Sequence, residues 1–419
     1  MARPHFPCLE GLRALAATMV VVHHVNATSS LRRAGLLRSP ASVMDGGVAI
    51  FFVISGFLIY RPFVVSHLED RPARRMRTFW WLRLVRVVPA YWAALTVLWA
   101  LGAFDLGPHW WRYYLLVQVY WRDSVLGGIF QSWSLATEMT FYLLVPFWAL
   151  ALRAVTRRSP LARRAGVQLG GAALLMLGGI VARQVISMAD PSWRPLSFNW
   201  LPTNLDLFGA GMALAVLSAW AAHDQRVRRL LERAAGVPTG LALAAGALFA
   251  WYAYVIGPVS FATGYRGWYW QRRQLVLVLI SLALLVPAAF GDQDRGLVRR
   301  LWRWRPVAWV GVVSYGLYLW HFDLIKWSVE RGGQLNRPPW AGWAGVEYYV
   351  SPFPLAVAGL GGGLVAAALS FYLLERPLQR RLRGRVSPAP TAASAIDPAP
   401  VPALPAPADP ELSGRSTPR

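Results

Sequence analysis

Cysteine occurs once, at Cys8, so no intrachain disulfide can form and the thiol count says nothing about redox compartment. Lysine also occurs once, at Lys326, and arginine supplies the rest of the 43 basic residues. Acidic residues number only 20, which leaves a net charge of +23. Such a balance would suit a nucleic-acid partner, but the arginines form neither a basic domain nor a reader motif, so nucleic acid is excluded as a partner. The seven histidines are dispersed, so no metal site is expected. A phosphate-binding glycine loop, a GxSxG elbow and an HExxH pair are all missing. Nothing has the pattern of a flavin or nicotinamide fold, and no bound cofactor is expected.

What the chain has is apolar length. Of its 419 residues 56% are hydrophobic, and 22 are Trp. The apolar residues gather into blocks of roughly 20, the length that spans a bilayer core. Ten spans are expected, at 9–28, 44–62, 79–102, 131–153, 166–186, 201–219, 237–257, 273–290, 307–327 and 354–375. The fold class is all-α: a polytopic integral membrane helix bundle, multi-pass in the cell (inner or plasma) membrane. The stretch 110–120 is too short and too aromatic to span, and it is read as interfacial or re-entrant.

Arginines punctuate alternate gaps. They fall at Arg71, Arg74, Arg75 and Arg77; at Arg157, Arg158, Arg163 and Arg164; at Arg226, Arg228, Arg229 and Arg233; at Arg295, Arg299, Arg300, Arg303 and Arg305; and after the last span from Arg376 to Arg385. Basic loops stay on the cytoplasmic side, so both ends are expected there. Arg32, Arg33 and Arg38 fit this pattern least well. The expected organisation is a short cytoplasmic N-terminus (1–8), a transmembrane domain (9–380) and a Pro/Ala-rich disordered cytoplasmic tail (387–419). The first apolar run holds Glu10, Arg13, His23 and His24, so it is not read as a cleaved signal.

Those four residues matter because charge at bilayer depth is costly and normally faces a protein interior or a water-filled path. Arg13 and His24 share one helical face about 16 Å apart along the axis, and Glu10 and Arg13 can pair. The second span runs through Asp45-Gly46-Gly47 to the FFVISGFLI stretch that contains Ser55. In the third, Arg83 and Arg86 share a face at the basic end, where guanidinium groups can grip phosphate or simply anchor the helix. The fourth carries Trp133, Ser134, Glu138 and Tyr142. Glu138 needs a partner there, with Arg13, a histidine, Arg83 or Arg86 as candidates. The ninth carries His321 and Asp323, and His321 reads as a packed, hydrogen-bonded residue; the tenth ends on Glu375-Arg376-Pro377.

Taken in order, these stretches resemble membrane acyltransferase family 3, the family of sugar O-acetyltransferases and macrolide acyltransferases. The resemblance rests on Glu10-Gly11-Leu12-Arg13-Ala14, on Arg13 followed by His24, and on the block Gly46 to Ile59. It continues through Arg83-Leu84-Val85-Arg86 with Pro89, Trp133-Ser134-Leu135 with Glu138 and Tyr142, Ser314-Tyr315-Gly316 with Tyr318 and His321, and Glu375-Arg376-Pro377. It implies acyl transfer from a cytoplasmic acyl-CoA, acetyl-CoA first among them, to a hydroxyl of a sugar, glycan or secondary-metabolite acceptor. His24 matches the family's base and Arg13 its arginine partner. Arg83 and Arg86 match the donor-binding pair. Glu10 or Glu138 would orient the His24 ring, while Ser55, Trp133, Tyr142 and His321 would line the substrate site.

The sequence departs from the family where Met139 and Thr140 follow Glu138 in place of a second acidic residue. No hydrolase-type domain follows the tenth span, so direct transfer within the membrane domain is the expected scheme. His23 is the alternative base, turned about 100° from His24. Two other classes fit intramembrane charge: a multi-span transporter or flippase of a lipid-linked substrate, and a scaffold whose polar residues only join helices. No clear internal repeat favours the transporter. Membrane lipids are partners in every case.

Overall fold

A computed structural model describes residues 6–29, 35–73, 75–188, 194–258, 267–335 and 351–384. The expected tail (387–419), most of the expected N-terminal segment, and Arg32, Arg33, Arg74 and Arg385 lie outside them.

The described residues are all-α, with no strand. The long helices are α1 (Cys8–Thr28), α2 (Gly47–Leu68), α3 (Met76–Ala100), α4 (Trp133–Val155), α5 (Leu161–Met188), α6 (Leu205–Trp220), α7 (Pro238–Trp251), α8 (Gly267–Ala289), α9 (Arg305–Leu335) and α10 (Pro352–Leu382). Each expected span is therefore a helix. Eight helices among the described residues are long and apolar enough to cross a membrane, and α6 and α9 are the two expected spans that fall outside that set. At 16 residues α6 rises only about 24 Å, short of a hydrocarbon core of about 30 Å. Helix α9 is long enough, but His321, Asp323 and Lys326 dilute its apolar run.

The stretch 110–120 is not a span. It forms a short helix, Trp110–Tyr114, and a 3₁₀ turn, Gln118–Tyr120. The Tyr91 hydroxyl and the Trp92 indole donate to the carbonyls of Tyr113 and Tyr114 at 3.0 and 2.8 Å, which holds this segment against α3.

Helix–helix contact in lipid depends on close packing of small residues rather than on expulsion of water. Helices α2 and α6 cross with Gly56 against the backbone of Phe208 and Gly211 against the backbone of Val53 and Phe57. A side chain at either glycine would collide with main chain, which no rotamer change can relieve. Helix α1 lies against α9 in the same way, with Gly311 against the Glu10 carbonyl. That contact fixes the height of α9 relative to α1, and hence which residues of the two helices meet. Helix α10 packs on the outer side of α9 and is interrupted by π-helical turns at Val357–Gly362 and Ser370–Glu375.

The Arg-rich gaps gather at one end of the bundle. Arg153 donates to the Arg71 carbonyl at 2.7 Å, and Arg164 lies 3.4 Å from Asp70. His223 is 3.8 Å from Glu69. Arg299 donates to the carbonyls of Ala235 and Phe290 at 2.7 and 2.8 Å, and its own carbonyl faces Cys8 at the start of α1. The alternation read from the arginines is thus a spatial separation. The first residues of α1 stand at the basic end, and His24, one turn from Thr28, stands near the other.

Candidate active site

Along α1 the bundle holds two polar centres at different depths. The first lies toward the basic end. Arg13 Nη1 donates to Glu10 Oε2 at 3.2 Å, one helical turn apart. Arg86 of α3 lies within electrostatic range of Arg13, Glu10, Glu138 and Tyr142, and Glu375 lies within range of Arg86 and Arg13. The π turn at Ser370–Glu375 ends on this glutamate, which is buried and accepts from Ser370 Oγ at 3.1 Å. Glu138 accepts from Tyr142 at 2.5 Å and from the Ser55 hydroxyl. Charge interactions reach Tyr142 from both Arg83 and Arg86. Thus Glu10, Arg13, Ser55, Arg83, Arg86, Glu138 and Tyr142, scattered over four helices, gather in one polar region, hydrogen-bonded as Glu10–Arg13 and as Ser55–Glu138–Tyr142 with the two arginines in charge range. Glu375 joins it, although the sequence reading gave that residue no role beyond its motif.

The second centre is His24, only 7% exposed. Its Nδ1 lies 2.8 Å from Nε2 of His321, which is fully buried. His321 Nδ1 in turn lies 3.0 Å from the Leu317 carbonyl oxygen. Aromatic rings enclose the pair: Phe322 and Phe130 stand 4.4 and 6.0 Å from the His24 ring, centre to centre. The α9 turn that carries His321 is fixed from outside. Gln131 donates to the Tyr318 and Leu319 carbonyls at 2.8 and 2.9 Å, and Ser134 Oγ is 2.6 Å from the Tyr318 hydroxyl.

This geometry corrects one expectation. The ring partner of His24 is neither Glu10 nor Glu138: Glu10 is fourteen residues down α1, and Glu138 is engaged by Ser55 and Tyr142. His321 is packed and hydrogen-bonded, as its sequence reading has it, and it is held against His24 and the α9 backbone. His23 differs from its neighbour, because its Nδ1 is buried without a hydrogen-bond partner among the described residues. Trp133 joins neither centre. It packs against Phe52 and Phe198 beside a cavity of about 30 Å³, which Asp45 and Arg273 also line.

Two buried ionic groups escaped the sequence reading. Arg273 pairs with Asp45 at 2.5 Å and donates to the Tyr252 hydroxyl at 2.9 Å. Arg183 pairs with Asp206 at 2.9 Å and also donates to the Thr203 carbonyl at 2.7 Å and to Gln271 Oε1 at 3.0 Å. The signal for both was present, since Arg183, Asp206 and Arg273 interrupt apolar blocks and charge within a span demands a partner. No group of His, Cys, Asp and Glu that could hold a metal ion occurs among the described residues.

An all-α membrane bundle with a buried, ring-paired histidine above an arginine–carboxylate region is the class that these observations define. The family model described as acyltransferase domain matches residues 6–373, and the chain belongs to that family. It is 22% identical over 396 residues to the peptidoglycan O-acetyltransferase OatA of Listeria monocytogenes, an alignment covering 90% of this chain and 56% of that protein. It is 25% identical to the putative peptidoglycan O-acetyltransferase YrhL of Bacillus subtilis, over 90% of this chain and 55% of the relative. It is also 25% identical to the O-acetyltransferase OatA of Staphylococcus aureus, with 90% and 58% covered. The chain therefore spans little more than half the length of these relatives. No solved structure matched.

Proposed function

We propose that this chain is an O-acyltransferase of the cell membrane. It moves an acyl group, acetyl in the simplest case, from cytoplasmic acyl-CoA to a hydroxyl of an envelope glycan, with His24 as general base. Peptidoglycan is the first acceptor to test, because two of the relatives carry it in their names. The observation that carries the reading is the alignment of the two polar centres along α1. The basic loops mark the cytoplasmic end, and the Glu10–Arg13 region with Arg83 and Arg86 lies near it. These guanidinium groups suit the phosphates of a CoA donor. His24 stands about 16 Å farther along the helix, toward the opposite face. A CoA entering from the cytosol would lie along this path, its anionic head held low and its thioester carried up to the histidine.

The reaction then needs little else. Neutral His24 takes the proton of the acceptor hydroxyl as the oxygen attacks the thioester carbonyl carbon. The tetrahedral adduct collapses with cleavage of the C–S bond, and the leaving thiolate takes the proton back from His24. An ester and a free thiol form, and the histidine ends in its starting state. Phe130 and Phe322 beside the His24 ring would narrow the access of competing water.

The transporter alternative is not favoured by the family match or by the relatives. A purified-protein assay that follows thiol release and acceptor acylation tests the proposal. His24→Ala should lower turnover on the order of 10²–10⁴-fold, the range for loss of a general base. Near wild-type turnover in that variant would remove the base assignment, and transport without acylation would remove the enzyme reading.

A further inference from the structure

The order of partners at the upper centre determines more than the position of His24. A backbone carbonyl only accepts hydrogen bonds, so the contact from His321 Nδ1 to the Leu317 oxygen requires the proton on Nδ1. Neutral His321 then has its lone pair on Nε2. That nitrogen faces His24 Nδ1 at 2.8 Å, so His24 must donate from Nδ1. One nitrogen of His24 is left without a proton: Nε2.

We infer that His321 is the positioning residue of this reaction. Anchored to the Leu317 carbonyl, it holds His24 as the Nδ1–H tautomer, with Nε2 free to take the acceptor's proton. The inference rests on His24 being the base. It resembles in logic the way a buried carboxylate fixes a catalytic imidazole, but the partner here is uncharged. When His24 accepts the proton at Nε2 it becomes an imidazolium, and the Nδ1–H bond to His321 Nε2 strengthens as that charge develops. When the thiolate takes the proton from Nε2, the original bond remains. His321 gives and takes no proton at any point, so the balance of the transfer is unchanged.

Two other features belong to the same device. Gln131 holds the Tyr318 and Leu319 carbonyls, and so fixes the turn that presents both His321 and its Leu317 anchor. The close contact of Gly311 with the Glu10 carbonyl sets the height of α9 against α1, without which the two rings would not be level. His23 has no such chain: nothing fixes its Nδ1 proton among the described residues.

The test compares two replacements, each in the wild-type and the His24→Ala backgrounds. Glutamine at 321 can offer its amide oxygen to His24 Nδ1–H, whereas phenylalanine fills the ring space and offers nothing. His321→Gln should keep kcat within about tenfold of wild type, while His321→Phe should fall on the order of 10²-fold or more, with the acyl-CoA KM of both changed by less than about threefold. In the His24→Ala background neither change should lower the remaining rate further, because residues that act through one another are not additive. If the Phe variant fails to purify as a monodisperse protein, His321→Leu serves as the acceptor-free control. An active Phe variant, or a Gln variant as slow as Phe, overturns the inference and leaves His24 as base untouched. So do losses that add to that of His24→Ala. Retained turnover in His24→Ala alone would instead remove the reading beneath it.

Discussion

The Arg183–Asp206 pair allows the cost of intramembrane charge to be worked from its contacts. Arg183 is 1% exposed, and its guanidinium divides its donors among Asp206, the Thr203 carbonyl and Gln271. Asp206 in turn accepts from Gln274 at 3.3 Å and from the Leu207 amide at 3.1 Å. Asp206→Ala would leave the arginine with two neutral acceptors and no counter-charge. Neutral hydrogen bonds between membrane helices contribute only about 0.6 kcal/mol on average, so their loss alone would be small. A buried charge deprived of its partner costs more, about 3–5 kcal/mol, and that term should dominate. Replacing both residues by apolar ones of similar volume, Arg183→Met with Asp206→Leu, removes the charge with its partner and should return stability to within about 1–2 kcal/mol of wild type. The assay is reversible unfolding in mixed SDS micelles, read by tryptophan fluorescence. If Asp206→Ala cost less than about 1 kcal/mol, or the double variant were as unstable as the single, the charge argument would be wrong.

Two further outcomes are expected. Arg86→Ala should raise the acyl-CoA KM by about 10- to 100-fold through loss of a charge-assisted contact, and Arg86→Lys should recover only part of it because lysine cannot grip phosphate with two parallel bonds; Michaelis kinetics with varied donor will measure both. Gly211→Ala and Gly246→Ala should differ in sign. Helix propensity favours each by about 1 kcal/mol, yet at Gly211 the new methyl meets the α2 backbone and the net effect should be a loss of about 1–3 kcal/mol, whereas Gly246 faces open space and keeps the gain, as the same unfolding assay will read.

Much of the fold was legible because lipid leaves a chain few choices. Backbone groups in hydrocarbon must bond within their own helix, so apolar length gave the elements and arginine gave their sense. Helices α6 and α9 mark where length and hydropathy stop being informative: both are packed inside the bundle and need not satisfy lipid on every side. The residues of the site were legible as costs, since a span that carries Glu10, Arg13, Glu138 or His321 must place them against something. What they meet was not. His24 and His321, 297 positions apart in the chain, are brought together by one helix contact, and its height depends on Gly311 meeting the Glu10 carbonyl. Spacing along one helix cannot reveal a register between two. Glu10 and Glu138 were therefore expected near a ring they do not approach, while Arg183, Asp206 and Arg273 passed unremarked among apolar neighbours.

The Leu317 carbonyl has one more consequence. Chains of titratable rings inside membrane proteins are the usual material of proton wires, which pass a proton in at one end and out at the other. Here the chain closes on an amide oxygen, which can hold a hydrogen bond but has no proton to hand on. The two rings form a cul-de-sac. On the proposed mechanism, a bundle spanning a membrane can then keep this basic ring near one end without a relay through His321, and the proton taken from the acceptor returns by way of Nε2 to the departing thiolate.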